Sequence, residues 1–132
     1  IIQGGHELHG VSFRVPADRI VAGTYLMSVI GAGGNIFLED APASQMRGML
    51  KIADEIGAQI HISREGLHVI ADEHKRALPY VKTEIYPGFP TDMQSPLMAA
   101  LTTAQGISVI EETIYEDRFR VAAQLRKMGA GI

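Results

Sequence analysis

The chain has 132 residues, 46% of them hydrophobic, which is the length of one ordinary domain with one core. Its net charge is −3 with Lys and Arg scattered singly, which excludes a basic stripe for nucleic acid and a polybasic patch for a membrane surface. There is no cysteine for a disulfide or thiolate metal site, no apolar run of membrane-spanning length and no signal-peptide pattern, so the expectation is a compact cytoplasmic domain without a metal.

From the start, Ile1 to Gly10 reads as a strand end and a Gly-Gly, His-rich turn. His6 and His9 are three apart, but no further ligands of suitable geometry accompany them. Val11-Ser12-Phe13-Arg14-Val15 alternates as a strand facing a core, closed by Pro16. Asp18 then heads a helical pattern through Ile20, Val21, Thr24, Tyr25, Met27 and Ser28, stopped by Gly31 to Gly34. A strand over Ile36 to Leu38, a turn at Asp40-Ala41-Pro42 and an amphipathic helix follow. That helix carries Met46, Met49, Leu50, Ala53 and Ile56 and ends at Gly57. Gln59 to Ser63 and Leu67 to Ala71 form a hairpin around Arg64-Glu65-Gly66, with His61 and His68 on its solvent face. Asp72 to Pro79, including His74, Lys75 and Arg76, reads as a solvated connector.

Beyond the connector the order begins again. Tyr80 to Ile85 is a strand, Asp92 starts a helix through Leu97, Met98, Leu101 and Thr102, Ile107 to Glu111 is a strand, and Asp117 opens a helix through Phe119, Ala122, Leu125 and Met128. Pro16-Ala17-Asp18 aligns with Pro90-Thr91-Asp92, and Glu55-Ile56-Gly57-Ala58 with Lys127-Met128-Gly129-Ala130, a repeat of about seventy residues. Its units run over about 11–71 and 80–132. Duplicated units of this kind cover each other's apolar faces.

The stretch Tyr86-Pro87-Gly88-Phe89-Pro90-Thr91-Asp92-Met93-Gln94-Ser95-Pro96 carries three prolines and a glycine, an extended turn delivering Asp92 to the mouth of a helix. Thr91 and Gln94 have the spacing of a capping box. On the residues alone, Asp92 is either an aimed carboxylate or an acidic first-turn residue that favours the helix dipole.

This run, PGFPTDMQ, followed by Glu112-Thr113-Ile114-Tyr115-Glu116-Asp117-Arg118-Phe119 and Met128-Gly129-Ala130, and preceded by Pro16-Ala17-Asp18-Arg19-Ile20-Val21-Ala22-Gly23-Thr24-Tyr25, resembles the UDP-N-acetylglucosamine 1-carboxyvinyltransferase family. Those enzymes begin bacterial peptidoglycan synthesis, and with it cell wall biogenesis, cell shape and cell division. The resemblance spans nearly the whole chain, which is far shorter than the two-domain enzymes of the family. It implies an α/β fold of repeated βαβαββ units, helices inside and sheets outside, as in the enolpyruvyl transferase inside-out α/β barrel. About two of three units would be present, the second ending before its closing hairpin. The unpaired edge so left predicts marginal stability or self-association, and a companion domain is expected as partner.

The reaction implied is transfer of enolpyruvyl from phosphoenolpyruvate to the 3-hydroxyl of UDP-N-acetylglucosamine, with no cofactor. By the resemblance, Asp92 contacts the sugar hydroxyl as the proposed base, the Ile114 backbone meets the nucleotide sugar, and Asp18, Glu116 and Arg118 line the cleft. The family's lysine and asparagine pair, cysteine loop and arginine cluster have no counterpart here, so the isolated chain is expected to lack turnover. Two other readings remain: a shikimate-type enolpyruvyl transferase, whose GDxSS-type motif PTDMQSP does not match, and a noncatalytic α/β scaffold or assembly domain in which Asp18 caps a helix, Glu116 is a surface acid and Arg118 pairs with a neighbour.

Overall fold

A computed structural model describes residues 1–5 and 7–132; His6, one of the paired histidines of the first turn, lies outside the described residues. The elements run α1 (Arg19–Ala32), β1 (Gly34–Glu39), α2 (Arg47–Ile56), β2 (Gln59–Ile62), β3 (Gly66–Ala71), β4 (Val81–Lys82), α3 (Gln94–Leu101), β5 (Ile110–Glu111) and α4 (Arg120–Lys127). Strands β1, β3 and β2 form an antiparallel sheet in that spatial order, while β4 and β5 pair in parallel.

Helix α1 is the hub of the molecule. Ala22, Gly23, Leu26, Met27, Val29 and Ile30 are all buried, the pattern of a helix enclosed on most sides rather than lying on a surface. It packs on α2, α3, β1 and β3, so Leu26, Met27 and Ile30 join one core with Met49, Ile56, Leu67, Val69, Met93 and Leu97. Asp18 starts this helix by accepting hydrogen bonds from the N–H groups of Ile20 at 2.7 Å and Val21 at 3.4 Å. Helix α2 buries Met49, Ile52, Ala53 and Ile56 on its inner stripe and stops at Gly57, whose φ of 115° suits only glycine comfortably. In the hairpin, a Cβ on Gly66 would fall 2.1 Å from the Leu38 carbonyl oxygen, so the sheet closes there only because the side chain is absent.

Several expectations need correction. Val11 to Val15 is not a strand: Val11, Phe13 and Val15 are exposed, no described strand pairs with them, and Arg14 alone reaches back, to Asp40 at 3.0 Å. Alternation specifies a face but cannot supply the neighbour that a ladder requires. Lys75 is buried, not solvated; its ammonium donates to the Gly31 carbonyl at 2.6 Å and to Thr103 Oγ1 at 3.2 Å, closing the C-terminal end of α1 against the end of α3. Asp117 does not open a helix. It sits at φ 57° in a turn, paired with Arg120, where α4 begins. None of the residues of α4 is fully buried, since its apolar stripe of Val121, Ala122 and Leu125 is only half covered. His61 is exposed, as a solvent-face residue should be, while His68, opposite it across the hairpin, is half-buried and bonds Asn35 at 2.6 Å. No helix among the described residues is long and apolar enough to cross a membrane.

Candidate functional site

The turn that carries Asp92 is held from three sides. Glu84 donates its N–H to the Phe89 carbonyl at 2.8 Å, fastening the proline-rich loop to the end of β4. Gly48 of α2 lies beneath the loop; a Cβ there would meet the Gly88 carbonyl oxygen at 2.7 Å. On the third side the Arg19 guanidinium lies 5.5 Å from the centre of the Tyr86 ring, tying the start of α1 to the loop by a cation–π contact. The chain then winds through a 3-10 turn, Thr91–Met93, into α3.

Asp92 is exposed on that turn, and Arg118 donates to its Oδ1 at 2.9 Å. Its second oxygen, Oδ2, takes no hydrogen bond from a described residue. Arg118 is itself braced, lying 5.1 Å from the centre of the Tyr115 ring. Ile114, Glu116 and Arg118 line one open cleft of about 830 Å³ together with Ser95 on α3. Asp92 joins this cleft through Arg118. The structure therefore brings together Asp92, Ile114, Glu116 and Arg118, whereas the Asp18 carboxylate is engaged in capping α1.

The capping box read from Thr91 and Gln94 does not form. Helix α3 has no side-chain cap at all. The Thr91 hydroxyl donates instead to Glu112 Oε2 at 2.9 Å, and Gln94 is fully buried, its Nε2 without a partner among the described residues. Glu112, which the sequence does not single out, is the polar centre of this region. Its Oε1 accepts from the N–H of Ile114 at 2.8 Å, the N–H of Tyr115 at 3.0 Å and the hydroxyl of buried Thr83 at 2.8 Å. Burial pushes the Glu112 carboxyl up, but the hydrogen bonds from Ile114, Thr83, Tyr115 and Thr91 together outweigh it and hold its pKa below the usual glutamate range. With the Ile114 N–H taken, its carbonyl is the main-chain group left to meet a ligand. The one signal for Glu112 in sequence is its place just ahead of a Thr-Ile-Tyr turn, too weak to find it.

A mixed α/β arrangement with its most buried helix at the centre defines the class: the fold is that of the enolpyruvyl transferases. The solved structure of the enolpyruvyl transferase NikO from Streptomyces tendae superposes with a TM-score of 0.70 over 83% of this chain and 26% of that one, at 19% identity. A family model described as EPSP synthase (3-phosphoshikimate 1-carboxyvinyltransferase) matches residues 1–132, and the chain belongs to that family. UDP-N-acetylglucosamine 1-carboxyvinyltransferase of Bartonella tribocorum is 42% identical over 133 residues, covering 99% of this chain and 31% of the relative. UDP-N-acetylglucosamine 1-carboxyvinyltransferase 1 of Caldanaerobacter subterraneus subsp. tengcongensis is 40% identical over 131 residues, with the same coverage. The resemblance read from PGFPTDMQ is thus borne out, and the chain spans about a third of the length of these relatives.

Proposed function

We propose that this chain carries part of the nucleotide-sugar site of an enzyme that transfers enolpyruvyl from phosphoenolpyruvate to the 3-hydroxyl of UDP-N-acetylglucosamine, the opening step of peptidoglycan synthesis in the cytoplasm. The observation that supports this reading most is the Asp92 carboxylate, steered by Arg118 on Oδ1 and open at Oδ2, beside the Ile114 turn. In the reaction the sugar hydroxyl loses its proton and its oxygen bonds to C2 of phosphoenolpyruvate while the methylene carbon gains a proton. Loss of phosphate and of a methyl proton then restores the double bond. On this reading Asp92 Oδ2 takes the first proton, while Arg118 holds the carboxylate through Oδ1. The Ile114 carbonyl fixes the sugar, and Glu116 borders it. Asp18 contributes by setting the start of α1, from which Arg19 braces Tyr86.

On this reading the two similar halves, about 11–71 and 80–132, are copies of one βαβαββ unit, and the phosphate-binding cations and the acid for the methylene carbon come from a companion domain. The 42% identity to a relative bearing the nucleotide-sugar name favours that acceptor over shikimate 3-phosphate. A chimera in which this chain replaces the matched residues of the Bartonella tribocorum enzyme tests it. The folded chimera should release phosphate from phosphoenolpyruvate with UDP-N-acetylglucosamine and lose that release with Asp92→Asn. Release with shikimate 3-phosphate alone, or an undiminished Asp92→Asn rate, would overturn it.

A further inference from the structure

We propose that Glu112 is a positioning residue that locks the Asp92 turn and the Ile114 turn together, so that the two acceptor-site contacts move as one body; this rests on the enolpyruvyl-transfer reading. The geometry divides one carboxylate between two segments. Oε1 takes the main-chain N–H groups of Ile114 and Tyr115, which fixes the turn leading to Arg118. Oε2 takes the hydroxyl of Thr91, the residue just before Asp92 and 21 positions away in sequence. Thr83, fully buried at the end of β4, donates to Oε1 and also accepts from the Thr113 N–H at 3.0 Å, so the hub is anchored in the core.

A purely local role would need only the bonds to Ile114 and Tyr115, a glutamate satisfying the turn that follows it. The Thr91 bond is different in kind. A threonine just ahead of a helix commonly turns its hydroxyl back to the helix backbone, but Thr91 opens the 3-10 turn that leads into α3 and directs its hydroxyl to Glu112 instead. A local preference is given up for a long-range contact next to the proposed base, as happens where a site must be held in place. A hydrogen bond to an ionised carboxylate is stronger than a neutral one, which strengthens the link.

The test uses three variants of the chain. Thr91→Val removes the hydroxyl and leaves the Glu112 bonds to Ile114 and Tyr115; Thr91→Ser keeps the hydroxyl and controls for packing; Glu112→Ala removes both links. Amide NMR spectra are recorded without ligand and during titration with UDP-N-acetylglucosamine. Thr91→Val should shift and broaden the Asp92 and Met93 amides while those of Ile114 and Tyr115 stay in place, and should weaken nucleotide-sugar binding about tenfold, equivalent to roughly 1.4 kcal/mol. Thr91→Ser should match the parent, and Glu112→Ala should disturb both turns. Unmoved Asp92 and Met93 amides in Thr91→Val would overturn the proposal, leaving Glu112 as a local turn former. Nucleotide-sugar binding unchanged despite moved amides would equally overturn the claim that the link serves the site. If the parent binds no nucleotide sugar, the claim that this chain alone holds a usable part of the acceptor site fails, the chimera decides the enolpyruvyl reading, and the ligand-free spectra still decide whether Glu112 couples the turns.

Discussion

Arg118 and Asp92, 26 residues apart, meet at 2.9 Å, the guanidinium donating to one carboxylate oxygen and leaving the other without a donor among the described residues. The carboxylate is 56% exposed and the arginine 25%, so water screens the pair and its worth to folding is small, about 0.2–1 kcal/mol. Asp92 also caps nothing, since α3 has no side-chain cap. Asp92→Asn and Arg118→Ala should therefore each cost less than about 1 kcal/mol in urea denaturation, while both weaken nucleotide-sugar binding. A loss of several kcal/mol for Asp92→Asn would restore the scaffold reading.

Acid should weaken the fold in part through Glu112. The folded pKa of Glu112 lies below the usual carboxylate value of about 4.3. The group thus contributes stability that is complete above that value and lost as pH falls through the folded pKa, because the unfolded chain takes up the proton first. Between pH 5 and pH 2, the range set by about 4.3 and below, denaturation of Glu112→Gln should show a shallower fall in stability than the parent. Identical slopes would show that Glu112 is not held ionised by its four donors.

Gly48 tests the seat of the proline-rich loop. Alanine would gain up to about 1 kcal/mol of helix propensity at this position in α2. Against that, its Cβ would press on the backbone of Gly88 and Phe89 at 2.7–3.1 Å, and overpacking against main chain costs about 1–3 kcal/mol. Gly48→Ala should thus be net destabilising and should shift the amides of Gly88, Phe89 and Asp92. A stabilised variant would mean that α2 and the loop do not approach so closely.

Lys75→Met keeps the buried stem and removes the ammonium from the Gly31 carbonyl and Thr103. The Gly31 oxygen still has the Thr103 hydroxyl at 3.1 Å, so the loss should lie toward the low end of about 1–3 kcal/mol. Thermal unfolding measures it; an unchanged midpoint would mean that the ammonium contributes nothing net.

Phosphate release from phosphoenolpyruvate should be undetectable with this chain alone. The reaction needs cations for the phosphates and an acid for the methylene carbon, and the two arginines of the cleft, Arg118 and Arg120, are each already engaged with a carboxylate, Asp92 and Asp117. Turnover by the isolated chain would contradict the division of labour proposed for the companion domain.

Where the information is local, the sequence is easy to read. Asp18 ahead of an apolar stretch and Gly57 after an amphipathic one mark α1 and α2 because caps act within one turn. The same holds for the hairpin at Gly66 and for the loop that delivers Asp92. What fails is whatever depends on a distant partner. Val11 to Val15 has the right alternation but no paired strand, and Lys75 looks solvated until the ends of α1 and α3 converge on it. Thr91 and Gln94 have capping spacing, yet the chain enters a 3-10 turn at Thr91, α3 starts only at Gln94, and the threonine hydroxyl goes to a carboxylate 21 residues away. Glu112 was missed for the same reason: its role lies in joining segments, which no spacing rule reports. Asp92, Ile114, Glu116 and Arg118 are read from motifs that resemble a known family, since no periodicity requires them.

The most direct measurement is an amide NMR titration of the chain with UDP-N-acetylglucosamine, with UDP and shikimate 3-phosphate as controls. Saturable shifts centred on Asp92, Ile114 and Arg118, produced by the nucleotide sugar and larger than those from UDP, are the predicted result. Shifts at those residues with shikimate 3-phosphate instead, or nucleotide-sugar shifts confined to residues remote from Asp92, would contradict it.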